Sequence, residues 1–271
     1  MDNQLSISEL INYATVRIEC LLKDNRISTG TGFFFKFKEQ SNGSFCPVII
    51  TNKHVIENAV KARFYLTPTD NKGNPIDNKP KSISFNAPFE TFESRWHFHP
   101  DPKVDLCAMG ITDVSYLFKQ KFGSYFYTLF FNKNMLPKAS DKKSISAIED
   151  VYMIGYPNGL WDNVNNKPII RKGITATNFN FDYQGEKEFL IDMACFPGSS
   201  GSPIVLINTE AEIMTRKLML LGVLYAGPQH IIEGTLELTH NRKIKTTSNI
   251  PNNLGYVIKS ERIIELEQLF K

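Results

Sequence analysis

The amino-acid sequence predicts an all-β protein with two halves, each a barrel or a sandwich of short strands. Apolar, aromatic and β-branched runs of four to eight residues recur along the chain, and turns rich in Asn, Gly, Pro and Lys separate them. Regular short strands of this kind are typical of all-β barrels and sandwiches. The runs fall on either side of residues 139–150, a polar segment without a long apolar run. We therefore place a linker there and expect one domain over residues 1–138 and a second over residues 139–271.

The predicted elements run from a short N-terminal helix to a short C-terminal one. The first helix is expected over residues 6–13, where Ser6 and Glu9 have the spacing of a capping box. The last is expected over residues 260–270, whose apolar residues recur at helical spacing, and we expect no helix between the two. Strands are expected at residues 15–22, 32–37, 48–50, 62–66, 82–85, 151–154, 173–179, 189–193, 204–206, 218–224 and 255–258.

A serine flanked by glycines, in Gly198-Ser199-Ser200-Gly201-Ser202-Pro203, is the most informative feature of the chain. A serine hydroxyl becomes a nucleophile only when a base removes its proton, and the carbonyl that it attacks needs donors for its new negative charge. Small residues let the backbone turn sharply and direct N–H groups at that oxyanion. The same composition also suits an ordinary turn between two strands. The assignment of Ser200 as a nucleophile therefore depends on a base and an acid elsewhere.

A histidine and an aspartate are the candidates for that base and acid. His54 follows the short apolar strand at residues 48–50, which would hold an imidazole rigidly. Asp105 begins an otherwise apolar segment, where a buried carboxylate is costly unless a donor bonds to it. A histidine N–H is such a donor, and the pairing would fix the tautomer of the imidazole and stabilise the imidazolium formed during reaction. Each residue alone also has a structural explanation, as a strand-end histidine or a turn-capping aspartate.

Three short motifs therefore follow one another along the chain: Thr51-Asn52-Lys53-His54-Val55, Asp105-Leu106-Cys107-Ala108-Met109 and the glycine-flanked serine. In this order they resemble the trypsin/chymotrypsin-like serine peptidases, especially the bacterial HtrA-type branch. Weaker matches lie at residues 30–33, 151–160, 222–227 and 253–260, so the resemblance extends over residues 14–271.

The resemblance implies a chymotrypsin-like fold of two six-stranded antiparallel β-barrels. His54 and Asp105 would come from the first barrel and Ser200 from the second, with the active site in the cleft between them. The backbone N–H groups of Gly198 and Ser200 would form the oxyanion hole. The expected activity is that of a serine endopeptidase that passes through an acyl-enzyme.

The resemblance also locates the residues that would bind substrate. The base of the primary specificity pocket maps to Ala194, and the cleft wall maps to Tyr225, Ala226 and Gly227. A pocket without an acid at its base would leave an arginine or lysine side chain unpaired, so we expect cleavage after small or medium apolar residues. Ser202 replaces the second glycine of many relatives, a change that bacterial and viral members tolerate. No PDZ-like regulatory module is expected after the last helix.

Composition favours a soluble, cytoplasmic protein, and the resemblance implies protein or peptide substrates. The formal net charge of +3 gives no strong attraction to nucleic acid or to an anionic membrane, and we expect neither as a partner. No N-terminal signal peptide and no membrane-spanning apolar run is visible. The four cysteines lie far apart and form no CxxC pair, and without a signal peptide we expect their thiols to stay reduced. No cofactor is expected.

Other residues and other functions compete with this interpretation. Cys195 could be the nucleophile, as in viral relatives, but it lies outside the glycine turn. Asp101 could replace Asp105 as the acid, although it lies in a turn between two prolines. His97 and His99 could bind zinc, but no further ligand with obvious spacing completes the set. The chain could also be a protease-like module that binds peptides without cutting them, or an enzyme that a partner protein must activate.

Overall fold

Antiparallel strands make up most of the chain, in a computed structural model that describes residues 5–85, 91–141, 144–208, 218–238 and 242–270. Alternating burial explains why these segments form strands: in the first of them, Val16, Ile18 and Cys20 are buried on one face. The strands are β1 (Thr15–Leu22), β2 (Ile27–Phe37), β3 (Cys46–Thr51), β4 (Ala59–Leu66), β5 (Lys81–Phe85), β6 (His97–Phe98), β7 (Cys107–Gly110), β8 (Asp150–Gly155), β9 (Ile169–Thr175), β10 (Glu188–Asp192), β11 (Pro203–Ile207), β12 (Leu218–Ala226), β13 (Gln229–Leu238), β14 (Arg242–Pro251) and β15 (Leu254–Lys259).

The strands form two main sheets that follow the two halves of the sequence. In the first half the strand order is β5-β4-β1-β2-β3-β7-β6, and in the second half a closed barrel has the order β10-β15-β12-β11-β8-β9. The predicted all-β fold class and the six-stranded second barrel are confirmed. The first half has seven strands rather than six, because the two-residue strand β6 pairs with the far edge of β7.

The two halves share a hydrophobic core. Phe33 and Phe35 of β2 pack in one buried cluster with Ile154 and Val205 of the barrel and with Leu266 near the C-terminus. The opposite face of β2 contributes to a second cluster that lies within the first half. Because the main core contains residues from both halves, the domain boundary at residues 138/139 stays a prediction.

Four α-helices of the described chain are α1 (Ile7–Leu10), α2 (Lys53–Ile56), α3 (Thr112–Phe122) and α4 (Glu261–Glu267). The capping box of Ser6 and Glu9 at α1 and the C-terminal helix are both present, as predicted. The expectation of helices only at the ends was wrong, because α3 packs Val114 and Phe118 into the core of the first half. None of the helices in the described ranges is long and apolar enough to cross a membrane.

A long β-hairpin, β13 and β14, was also missed by the sequence analysis. Its strands pair over ten positions, from Gln229 opposite Pro251 to Leu238 opposite Arg242. Many of its side chains are exposed to solvent, so no alternation of buried and polar positions marks it in the sequence. It leaves the barrel between β12 and β15.

Candidate active site

Two hydrogen bonds join His54 to Asp105, and a third holds Asp105 within the first half. α2 begins two residues after β3, which places His54 in its single turn. His54 Nδ1 lies 2.5 Å from Asp105 Oδ2, and the backbone N–H of His54 donates to Oδ1 at 3.2 Å. The buried side chain of Asn52 donates to the main-chain carbonyl of Asp105 at 2.7 Å. The carboxylate is therefore fixed through both its backbone and its side chain.

This pairing determines which imidazole nitrogen of His54 carries the proton. A carboxylate accepts hydrogen bonds, so Nδ1 donates to Asp105 and Nε2 is left as an acceptor. The side chain of His54 is 45% exposed, whereas that of Asp105 is 24% exposed. No described residue donates to Nε2, which can therefore take a proton from a group in the cleft.

Ser200 lies in a turn that requires glycine on both sides. Gly198 and Gly201 have φ angles of 86° and 85°, in the left-handed region that other residues rarely adopt. A Cβ atom on Gly198 would lie 2.5 Å from the carbonyl oxygen of Tyr156, and one on Gly201 would overlap the carbonyl oxygen of Thr31. The glycines thus allow both a tight turn and close contact with neighbouring backbone.

Three carbonyl groups of this turn accept hydrogen bonds from residues outside it. The backbone N–H of Asn158 donates to the Pro197 carbonyl at 2.6 Å. The hydroxyl of Thr31 donates to the Gly198 carbonyl at 2.9 Å, and its backbone N–H donates to the Ser200 carbonyl at 2.9 Å. These bonds fix the orientation of the peptide planes around Gly198.

The fixed carbonyls determine where the neighbouring N–H groups point. In a trans peptide the C=O and N–H point in opposite directions, so the bond from Asn158 turns the N–H of Gly198 away from Asn158. Neither the N–H of Gly198 nor that of Ser200 donates to another described residue. Two such free amides in a tight turn form a concave site suited to a negatively charged oxygen.

Thr31 connects the turn to the strand that precedes His54. It is fully buried in β2, and its hydroxyl also accepts from the N–H of Tyr156 at 3.1 Å. Its carbonyl accepts from the hydroxyl of Thr51 at 2.7 Å, and Thr51 is the last residue of β3, three residues before His54. One residue therefore relates the position of Ser200 to that of His54.

The hydroxyl of Ser200 is directed at a backbone carbonyl in this structure. Its Oγ lies 3.4 Å from the carbonyl oxygen of Tyr225, and no hydrogen bond joins it to His54 among the described residues. The structure thus brings His54 and Asp105 into direct contact and leaves Ser200 unbonded to either. Hydrogen bonds of this kind are often absent before substrate is bound.

An apolar pocket adjoins Ser200. Its volume is about 150 Å³, and its lining carries no charged side chain. Besides Ser200 it is lined by Cys195, Phe196, Pro197, Leu224, Ala226, Gly227, Gln229 and Pro251. A cavity of about this volume with apolar walls accommodates a group the size of benzene.

Two of the expected substrate-binding residues, Ala226 and Gly227, line this pocket, and the other two do not. Ala194 lies outside the lining, where the adjacent Cys195 takes its place. The ring of Tyr225 points elsewhere, and its hydroxyl donates to Glu188 at 2.9 Å. Burial raises the pKa of the Tyr225 hydroxyl, and the bond to Glu188 and the charge of Asp105 act in the same direction.

The competing candidates from the sequence are placed differently. The thiol of Cys195 donates to the Met193 carbonyl at 3.2 Å, and burial raises its pKa to about 11, so at neutral pH it is not an anionic nucleophile. Asp101 accepts a hydrogen bond from Arg262 at 2.8 Å rather than from His54.

The two histidines considered for zinc point to different neighbours. The ring of His97 packs against that of Phe270 at 4.8 Å, whereas His99 is buried and its Nδ1 accepts from the backbone N–H of Asp101 at 3.1 Å. Within the described ranges no cluster of three or more potential metal-ligating side chains occurs.

Two residues of the site, Thr31 and Asn158, were missed as functional residues by the sequence analysis. Both lie in segments noted for the family resemblance, but their hydrogen-bond partners are distant in the sequence. The partner of the Thr31 hydroxyl, Gly198, is 167 positions away, and the partner of Asn158, Pro197, is 39 positions away. A threonine between two glycines in a strand was the available signal for Thr31, because small neighbours allow another backbone to approach closely.

Comparisons with known proteins agree with this architecture. The family model of the trypsin-like peptidase domain matches residues 30–212. No curated protein matches the sequence at a significant level. Among solved structures, the HtrA-type protease AlgW with a tripeptide has 14% identity and a TM-score of 0.50, over 95% of this chain and 60% of that one.

Two further structures show similarity of the same order. A serine endoprotease from Yersinia pestis has 16% identity and a TM-score of 0.49, over 95% of this chain and 62% of that one. An inactivated protease paralogue of the scabies mite has 12% identity and a TM-score of 0.49, over 95% of this chain and 94% of that one. The chain spans about three fifths of the first two structures, and at these identities the likeness concerns the fold alone.

The family model covers more than half of the chain, including His54, Asp105 and Ser200. The chain belongs to the family of trypsin-like peptidase domains.

Proposed function

We propose that this protein is a serine endopeptidase with His54, Asp105 and Ser200 as its catalytic triad. The observation that carries the proposal is the bond of 2.5 Å between His54 Nδ1 and Asp105 Oδ2, which leaves Nε2 ready to accept a proton. The free amides of Gly198 and Ser200 support it, because they provide an oxyanion hole in the same turn as the hydroxyl. Before attack, the hydroxyl of Ser200 must leave the carbonyl of Tyr225 by rotation about χ1.

The reaction then follows from the arrangement of these groups. Nε2 of His54 takes the proton of the Ser200 hydroxyl while Oγ attacks the scissile carbonyl, and the amides of Gly198 and Ser200 bind the resulting oxyanion. The imidazolium, stabilised by Asp105, gives its proton to the leaving amine and leaves an acyl-enzyme. A water molecule, deprotonated by Nε2, hydrolyses the acyl-enzyme and regenerates Ser200.

Thr31 and Asn158 act in this proposal as positioning residues. Asn158 holds the Pro197 carbonyl, whose peptide carries the N–H of Gly198. Thr31 holds the carbonyls of Gly198 and Ser200, so it fixes the backbone of the turn that carries both oxyanion donors before the charge develops. Donors oriented in advance contribute more than donors that must reorganise during the reaction.

The apolar pocket beside Ser200 supports cleavage after small or medium apolar residues. Cys195, Leu224, Ala226 and Gly227 are among the residues of its wall, and no lining residue carries a charge that could pair with an arginine or lysine side chain. In this assignment Ala194 precedes Cys195 of the lining, and Tyr225 would contact substrate through its backbone carbonyl rather than its ring. We place the enzyme in the cytoplasm, because all four cysteines are free thiols, as is typical of a reducing compartment.

A second function, a latent or non-cutting peptide-binding module, is favoured by one observation. The Ser200 hydroxyl donates to the Tyr225 carbonyl rather than to His54, so the nucleophile is not yet joined to its base. A partner protein could then be needed to complete the triad. Stable binding of peptides without turnover after long incubation would support this alternative.

The decisive experiment replaces Ser200 by alanine. Ser200→Ala removes the nucleophile, so we expect peptide hydrolysis to fall by about a millionfold and labelling by a fluorophosphonate probe to disappear. Ser199→Ala is the matched control, because the hydroxyl of Ser199 is buried and has no partner among the described residues. Labelling of Ser200→Ala, or loss of labelling in Ser199→Ala alone, would contradict the assignment.

Asparagine substitutions distinguish the two candidate acids. Asp105→Asn puts an amide beside Nδ1 and disfavours the required tautomer, so kcat should fall by about 10⁴-fold. Asp101→Asn weakens an ion pair with the partly exposed Arg262 and should change kcat by less than about tenfold. Steady-state kinetics of both variants, with circular dichroism as a check on folding, would decide. A larger loss in Asp101→Asn would require reassignment of the acid.

Substitutions of Thr31 test the proposed orientation of the oxyanion hole. Thr31→Val removes the donor to the Gly198 carbonyl and should lower kcat by about tenfold to a hundredfold with little change in KM. The affinity for a peptide boronate, which resembles the tetrahedral intermediate, should fall in parallel, and Thr31→Ser should restore both. A Thr31→Val protein that is less stable but binds the boronate normally would show that the role is only structural.

Cleavage preference can be measured on a library of peptides varied at the residue before the cut. We expect Ala, Val, Leu and Met to dominate at that position, because the uncharged pocket of about 150 Å³ accepts side chains of that size. A dominant preference for Arg or Lys would refute the assignment of the pocket.

A further inference from the structure

The hairpin formed by β13 and β14 presents features that the proposed chemistry does not use. Within the described chain its two strands pair only with each other, which leaves both outer edges unpaired. Ile231, Ile232 and Ile250 are 61%, 44% and 47% exposed. Unpaired edges with exposed aliphatic residues readily accept a further strand, and a lone two-stranded ribbon is marginally stable in water.

The hairpin continues the pair of strands that passes Ser200. β12 and β15 are paired up to Ala226 opposite Tyr256, and the bonding resumes where Asn252 N–H donates to the Pro228 carbonyl. From there β13 and β14 extend the same two strands outward. The unpaired edge of β13 therefore follows on from the edge at which the Tyr225 carbonyl meets Ser200.

The bond from Asn252 to Pro228 also fixes which backbone groups of β13 are free. In an antiparallel pair, hydrogen-bonded and non-bonded residue pairs alternate. Because Pro228 and Asn252 form a bonded pair, Gln229 and the odd-numbered residues after it direct their N–H and C=O groups away from β14. Ile231 and Glu233 thus present unpaired backbone donors and acceptors along the outer edge.

The side chains on one face of the hairpin extend the wall of the pocket beside Ser200. Gln229 and Pro251 line that pocket and are opposite each other in the pairing. Ile231 is two residues beyond Gln229, so it lies on the same face. An extended chain leaving the pocket along β13 would meet this exposed isoleucine next.

We propose that β13 binds an extended segment of the substrate polypeptide, upstream of the cleaved bond, as an added antiparallel strand. The proposal rests on the peptidase function proposed above and adds a second recognition site to it. If the residue before the cut lies beside Tyr225, one-to-one pairing places Glu233 opposite the residue eight positions further upstream. Backbone pairing would provide affinity for unfolded segments, with little dependence on their sequence.

The charges of the two strands distinguish the edges of the hairpin. Lys245 is exposed on β14, whereas β13 carries no lysine or arginine. Lysine on an edge strand opposes further pairing, so the β13 edge is the one suited to accept a strand. A second copy of the chain could in principle use the same edge, but continuity with the Ser200 cleft favours substrate.

The test uses proline to block one edge at a time. Glu233→Pro removes an outward N–H from β13, and Thr247→Pro makes the same change directly opposite on the outer edge of β14. The probes are two peptides whose C-terminal leucine is joined to a coumarin reporter by the amide bond to be cleaved. One peptide has four residues. The other is extended upstream to twelve residues with alternating threonine and valine and two lysines. We expect the twelve-residue probe to have about tenfold higher kcat/KM in the unmodified protein. Glu233→Pro should reduce that ratio to about one, and Thr247→Pro should leave it at about ten.

A binding measurement separates this proposal from the peptidase function. In a Ser200→Ala background, fluorescence anisotropy of the labelled twelve-residue peptide should give a Kd about tenfold lower than that of the four-residue peptide. Adding Glu233→Pro should abolish the difference. If the protein with an intact Ser200 hydrolyses neither peptide but the Kd values show this pattern, only the peptidase function is overturned. Equal Kd values for both peptides, or equal effects of the two prolines, would overturn the β13 site. Sedimentation tests for a second copy of the chain at this edge. If Glu233→Pro abolishes self-association without changing peptide binding, the occupant of the β13 edge is a second copy, and the proposed substrate site is overturned.

Discussion

The hydrogen bonds of Thr31 are the interaction on which the arrangement of the site depends. Its backbone and hydroxyl bind the carbonyls of Ser200 and Gly198, while its own carbonyl is bound by Thr51. Thr31, Thr51 and Gly198 are buried, and in such surroundings an unpaired polar atom is costly and a satisfied network is correspondingly rigid. The turn from the second half is thereby held against the strands of the first.

His54 and Asp105, by contrast, are brought together within one half. Asp105 accepts two hydrogen bonds from His54 and one from Asn52. Both donor residues lie in the segment that follows β3. Among the described residues no hydrogen bond from the barrel reaches the side chains of this pair, and His54 bonds to neither the Gly198 nor the Ser200 amide. The site therefore consists of two preformed parts, and its geometry depends on how Thr31 relates one part to the other.

The sequence predicted those features that depend on local pattern. The glycine turn around Ser200, the capping box at Ser6 and most strands have residue types that act over a few positions, and the all-β fold class follows from them. Thr31 could not be assigned a function in this way, because its partner at Gly198 is 167 positions away. The β13–β14 hairpin was missed for a different reason: strands without a buried face lack the alternation that reveals strands in a sequence.

The position of the Ser200 hydroxyl connects the candidate site with the hairpin. At 3.4 Å its bond to the Tyr225 carbonyl is long for a hydroxyl donor, so little free energy holds it there. A substrate strand added along this edge would bring its own N–H groups, which compete for the same carbonyl. Loss of that acceptor would free the hydroxyl to rotate toward His54. In the proposed function, strand addition would then both bind the substrate and complete the triad, so the site would be assembled for attack only when a polypeptide lies along this edge.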